Sequence, residues 1–223
     1  MLAPPGVRPS SAGSPDSTLG DTPGSFDLGV CMALLILGLV VFLGVHSTRI
    51  ISDEWRSTMV SRLGLNPWKG IYSAISIAGF VLIVWGYGLA RTAAVPLWSP
   101  PTWTAQLAAA LTVPAFILLA ATYVPRNQIQ AAVHHPMVLG VQLWALAHLL
   151  ANGSRPAALL FGTFLAWALL SFVAASRRDR AEGRTYPAGR PAMTLVAVAV
   201  GAGLWAAFAL WLHERWIGLA PLG

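Results

Sequence analysis

The chain alternates between long apolar runs and short polar breaks, and the runs are too long to be strands. From Leu28 to Val45 every residue is apolar or glycine. Six such segments approach the roughly 20 residues a helix needs to cross a bilayer. They lie at about 26–50, 68–91, 103–124, 136–152, 156–175 and 192–212. In hydrocarbon a segment must satisfy its own backbone polar groups, which a helix does locally. The pattern therefore predicts an all-α fold, a polytopic integral membrane bundle of six transmembrane helices occupying about residues 26–218.

The breaks carry their own signals. In ISDEWRSTMVSRL, residues Ile51, Trp55, Met59 and Leu63 recur every fourth position, which predicts a short amphipathic helix in the membrane interface. Gly86 and Gly88 flank Tyr87 and permit close helix approach. Pro114 lies mid-segment and is expected to kink its helix. The turn at Asn152–Arg155 is so short that the fourth and fifth segments must form an antiparallel hairpin. Asn152-Gly153 is expected to end the fourth helix through a left-handed residue. The stretch SRRDRAEGRTYPAGRP (176–191) is expected to be a basic loop. Residues 1–25, rich in Pro, Ser and Gly, read as a disordered tail, and no cleavable signal peptide is expected there.

Composition narrows the class. With 56% hydrophobic and 10% charged residues, the chain is too apolar for an ordinary soluble domain. The net charge of +6 would suggest nucleic acid in a soluble protein. Here ten of the fourteen Lys and Arg fall on the first, third and fifth loops. Positive charge favours the cytoplasmic side, so that face is expected inside and both termini outside. A single cysteine, Cys31, excludes an internal disulfide or multi-cysteine zinc site. Asp and Glu are missing from the interiors of the six segments, so no carboxylate-bound metal is expected.

The remaining chemistry rests on histidine. HHPMVLGVQLWALAHLLANG (134–153) carries three of the five histidines. Pro136 suits a first helical turn, and His148 lies 12 residues further on, about 18 Å along the axis. An ionisable group at that depth needs a partner, a ligand or a metal. His46 closes the first segment, and His135 opens the fourth. His134 and His213, at helix ends, read as interfacial or hydrogen-bonding residues. Neutral imidazole ligates metals and haem iron. A bis-histidine haem needs two imidazoles, an apolar slot and a cation for its propionates. Arg49, three residues after His46, shares its helix face and offers that cation. Trp144, one turn before His148, offers an aromatic wall. By depth, His46 with His135 is the easier pair, while His46 with His148 requires a haem lying flat, so all three histidines stay as candidate iron ligands.

Several stretches resemble the NnrU family of bacterial membrane proteins. They are FLGVHSTRI (42–50), WR (55–56), RLGLNPWKGIYSAISIAGFVLIVWGYG (62–88), LWSPPTW (97–103), HPMVLGVQLWALAHLLANG (135–153) and FGTFLAWALL (161–170). The resemblance covers about residues 30–180. It implies an inner-membrane protein linked to denitrification or nitric oxide metabolism, with respiratory or denitrification membrane proteins as partners. The same domain resembles 15-cis-zeta-carotene isomerase, a haem b enzyme, whose motifs match His46-Ser47, His135-Pro136, Trp144 and Ala147-His148. That resemblance implies haem b held by His46 and His148 with His135 in support, and an apolar isoprenoid substrate for a haem-dependent isomerase. Whether this chain is an enzyme stays open. HPMVLG also has the spacing of the HPxYxG signature of isoprenylcysteine-type methyltransferases, which use S-adenosylmethionine, with Val138 in place of tyrosine. A non-catalytic assembly factor for a respiratory reductase is the third reading.

Overall fold

A computed structural model describes residues 27–221. The expected tail at 1–25 lies outside them. The described residues form helices α1 (Leu28–His46), α2 (Thr48–Ile51), α3 (Asp53–Leu63), α4 (Leu65–Thr92), α5 (Trp103–Tyr123), α6 (Gln128–Val133), α7 (Pro136–Ala151), α8 (Arg155–Ala181), α9 (Pro191–Ala207) and α10 (His213–Ile217). A π-helical turn, Phe208–Leu212, joins the last two. Five of these helices, counting α9 to α10 as one, are long and apolar enough to cross a membrane. The sixth expected crossing, α7, is apolar but has only 16 residues, about 24 Å at 1.5 Å per residue. The chain is thus a multi-pass helical membrane protein.

Loop contacts sort the helix ends into two sets. At one end, Arg178 on α8 donates to the carbonyl of Arg49 at 2.9 Å, and Arg190 N–H donates to Arg126 O at 2.7 Å. At the other end, Gly153 O accepts from Leu97 N and Trp98 N, at 2.7 and 3.2 Å, and Arg91 donates to Ile217 O at 2.7 Å. The first, third and fifth loops therefore gather on one face. Helix α7 starts near the loops of the first face and ends at Asn152, beside the loop contacts of the other.

Two packing regimes hold the helices. The α1–α4 seam is a close one. A Cβ added to Gly38 would sit 2.6 Å from Ile83 N, one on Gly79 2.7 Å from Phe42 N, and one on Gly86 2.5 Å from Leu35 N. Glycine spacing lets these backbones approach where hydrocarbon supplies no hydrophobic drive between helices. Gly86 is used as expected, whereas nothing lies within 4 Å of a Cβ on Gly88. Helix α8 then packs on both halves, with Ala157, Leu160 and Phe161 joining Leu35, Leu39, Leu43 and Ile83 in the core.

Two expectations change. Helix α8 continues to Ala181, so Arg177, Arg178, Asp179 and Arg180 are helical and not loop. No Gly or Pro interrupts them until Gly183, at φ +59°. Asn152 is extended (φ −125°, ψ 116°), and Gly153 does not adopt positive φ. Asn152 Nδ2 donates to His148 O at 2.9 Å, and glycine is required at 153 because a Cβ would collide with Trp98 O. Helix α5 includes Pro114 in its interior. The segment 51–63 is helical from Asp53, capped by Ser52 Oγ accepting from Trp55 N at 3.1 Å.

Candidate functional site

His46 is the last residue of α1, and its Nδ1 lies 2.7 Å from Phe42 O. His148, in the last turn of α7, places Nδ1 2.8 Å from Trp144 O. A carbonyl only accepts, so in both rings Nδ1–H donates. In the neutral form each ring then carries its lone pair on Nε2. This is the tautomer of a metal-ligating histidine whose other nitrogen is anchored to a carbonyl. One helical turn supplies the anchor in each case, through the backbone carbonyl four residues earlier.

An aromatic junction connects the two. Phe42 stacks on His46 with centroids 4.2 Å apart, and Phe161 stacks on His148 at 4.6 Å. Phe164 lies 5.9 Å from Phe42 and 5.5 Å from Trp144, and Trp144 is 5.2 Å from His148. Tyr72 on α4 and Trp167 on α8 present edges to His46 at 5.2 and 6.1 Å. Helix α8 serves as a ruler. His148 meets it at Phe161 and His46 at Trp167, six residues or about 9 Å apart. The 18 Å measured along α7 alone overstates their offset, because α1 ends well below the polar end of α8.

His135 sits elsewhere. It meets Phe172 at 6.0 Å, and its Nε2 lies 2.9 Å from Asp179 Oδ2. The approach is off the ring's donor direction, so this is a charge contact and not a directed hydrogen bond. Burial pushes the His135 imidazole below its usual range, against the opposing pull of Asp179. Arg49 pairs with Asp53 at 3.1 Å and lines the same polar end. Trp144 lies beside His148, with ring centroids 5.2 Å apart. His134 stacks on Tyr186 at 4.1 Å, and His213 Nδ1–H donates to Leu219 O at 2.6 Å.

The sequence reading missed the α8 face. Trp167 Nε1 and Ser171 Oγ are buried there, one turn apart, without hydrogen-bond partners among the described residues. Buried polar atoms are nearly always satisfied, so this face has donors to offer a ligand. The signal was present as Trp167 and Ser171 at i, i+4 on an apolar helix, but every face of α8 is apolar in sequence. Among the described residues no three His, Cys, Asp or Glu side chains gather into a metal cluster.

The arrangement defines a polytopic helical membrane protein with two imidazoles turned onto an aromatic junction between helix pairs. The family model described as "NnrU protein" matches residues 34–221, and the chain belongs to that family. The match runs through the last helix, further than the resemblance read from the motifs. No curated protein and no solved structure matches the chain.

Proposed function

We propose that this protein binds haem b between α1, α7 and α8, with His46 and His148 as iron ligands and Trp144 as a wall of the slot. The observation that carries the reading is the shared tautomer. Both histidines commit Nδ1 to their own helix and keep Nε2 for a ligand, on an apolar aromatic surface. The donor chemistry fits a haem. Phe42 and Phe164 stand between the two rings, so a shared iron requires those side chains to swing aside. His135 is the weaker third candidate, since Asp179 faces its Nε2. Arg49 is held by Asp53, and the proposal does not need it.

Bound haem would supply a redox-active iron. The chain's own residues would hold it, exclude water through the aromatic walls, and orient an apolar ligand. A haem-dependent isomerisation of an isoprenoid, or a role beside denitrification enzymes in nitric oxide metabolism, follows from the resemblance. The proposal includes six crossings of a bacterial inner membrane, with α3 in the interface and both termini periplasmic. The gathering of the first, third and fifth loops at one end, with ten of fourteen Lys and Arg, supports it. The methyltransferase alternative loses ground because Pro136 and Gly140 have packing roles. Both are buried, and a Cβ on Gly140 would lie 2.9 Å from Ala115 O.

The test is the visible spectrum of detergent-purified protein. A Soret band with reducible α and β bands is expected. His46→Ala and His148→Ala should each lose haem or turn it high-spin, while His213→Ala leaves the spectrum alone. Spectra unchanged in both variants, or no haem uptake by the folded protein, would sink the reading. Loss in His135→Ala with His148→Ala intact would move the second ligand to His135.

A further inference from the structure

At the polar end of the bundle, four elements close around a cavity of about 250 Å³. Arg49 comes from α2, His134 and His135 from the α6–α7 turn, Arg178 from α8, and Arg184 and Tyr186 from the loop after it. We infer that this cavity binds the phosphate group of an anionic phospholipid from the adjacent leaflet.

The position points to a headgroup. The apolar run of α8 ends at Ala175, which lines the cavity floor, and the arginines begin two residues later. The cavity therefore opens where a bilayer's phosphate layer meets the helices. Basic pockets between transmembrane helices at that level take anionic headgroups. The charge is suitable. Three guanidiniums line the cavity against one carboxylate, Asp179. Asp53 and Glu182 also pair with Arg49 and Arg184, at 3.1 and 2.9 Å, but their side chains are 38% and 48% exposed and water-screened. Arg178 has no carboxylate partner among the described residues. Its bond is to the Arg49 carbonyl, which leaves its charge for a ligand.

The walls are pre-set. Asp179 accepts from Tyr186 Oη at 2.6 Å and holds Arg184 at 3.5 Å and His135 at 2.9 Å. Its charge is thus turned to orienting the cationic wall. His134, at φ 61°, stacks flat on Tyr186 with rings 5° from parallel. A non-glycine residue in that conformation is uncommon and persists where the surroundings hold it. The fork of an arginine suits two oxygens of one phosphate. This inference does not depend on a His46–His148 haem, because the cavity lies beyond Phe172 on α8; it shares His135 with the alternative iron pair.

The experiment uses the full chain in detergent, titrated with phosphatidylglycerol, phosphatidylcholine or inorganic phosphate. Native mass spectrometry and thermal melts are the readouts. Phosphatidylglycerol should give a retained one-to-one adduct and a raised Tm, and phosphatidylcholine neither. Arg178→Gln with Arg184→Gln should weaken the adduct roughly tenfold or more, Arg178→Lys should weaken it less, and Arg155→Gln at the other end should leave it unchanged. The adduct is read on folded protein, so a loss of expression does not imitate a loss of binding. Equal retention by the double variant, or of phosphatidylcholine by wild type, would overturn the inference. Inorganic phosphate stabilising as well as phosphatidylglycerol would overturn the lipid source.

Discussion

The α1–α4 seam and the α1–α8–α7 junction lie side by side and are built on opposite rules. In the seam, Gly38, Gly79 and Gly86 remove side chains so that backbones touch. In the junction, Phe42, Phe164, Trp144 and Phe161 keep backbones apart, with ring centroids 5.2–5.9 Å from one another. At the seam's glycines the close contacts are almost all backbone. The junction presents two imidazoles, an indole N–H and, one turn on, a serine hydroxyl. Close backbone packing leaves nothing for a ligand to displace, whereas flat rings on long side chains are movable. The difference sets a close-packed surface against one whose rings can move.

The largest effect should come from filling the seam. Gly79→Val puts atoms against the Phe42 backbone, which cannot give, and should cost about 3 kcal/mol or more. Folded yield and the melting temperature in detergent would show it. Gly88→Val on the same helix, with open space around its Cβ, should be nearly silent. Equal damage from both would mean that helix propensity and not close approach sets the seam.

The junction should behave differently. Trp167→Phe removes an unsatisfied buried N–H while keeping most of the ring, so stability should hold or rise by up to about 1 kcal/mol. If the face serves a ligand, haem affinity or spectrum should shift in that variant while the melting temperature does not fall. A large loss of stability would show that Trp167 is structural and that the comparison is wrong.

The smallest effect concerns pH at the polar end. His135 titrates below its ordinary value in the folded protein because burial outweighs Asp179. The unfolded chain therefore takes up its proton first as pH falls below about 6.5. Stability from this group is intact above that value, declines as pH falls toward the folded pKa, and then levels. Melts at pH 7.5 and 5.5 should show a slope that His135→Gln flattens. The deficit of Gly79→Val should be the same at both pH values, since a side chain at 79 meets the backbone and Cβ of Phe42.

Local physics is legible in the chain itself. Apolar runs such as Leu28–Val45 exceed any strand and must be helical in hydrocarbon, and the Asn152–Arg155 turn forces a hairpin whatever surrounds it. The histidines were found for the same reason, since a titratable ring such as His148 in an apolar helix is conspicuous one residue at a time. The end of α8 was misread because Arg and Asp mark the limit of hydrocarbon, not of hydrogen bonding, and a helix continues until Gly183 releases it. What only the tertiary structure decided was which faces meet. Gly38 and Gly88 look alike in sequence, yet one meets a backbone and the other open space. Trp167 and Ser171 are lost on a uniformly apolar helix until α1 arrives beside them. The depths of His46 and His148 likewise depend on how far α1 descends along α8. Periodicity tells a helix which environment it enters, but register against a neighbour comes only from packing.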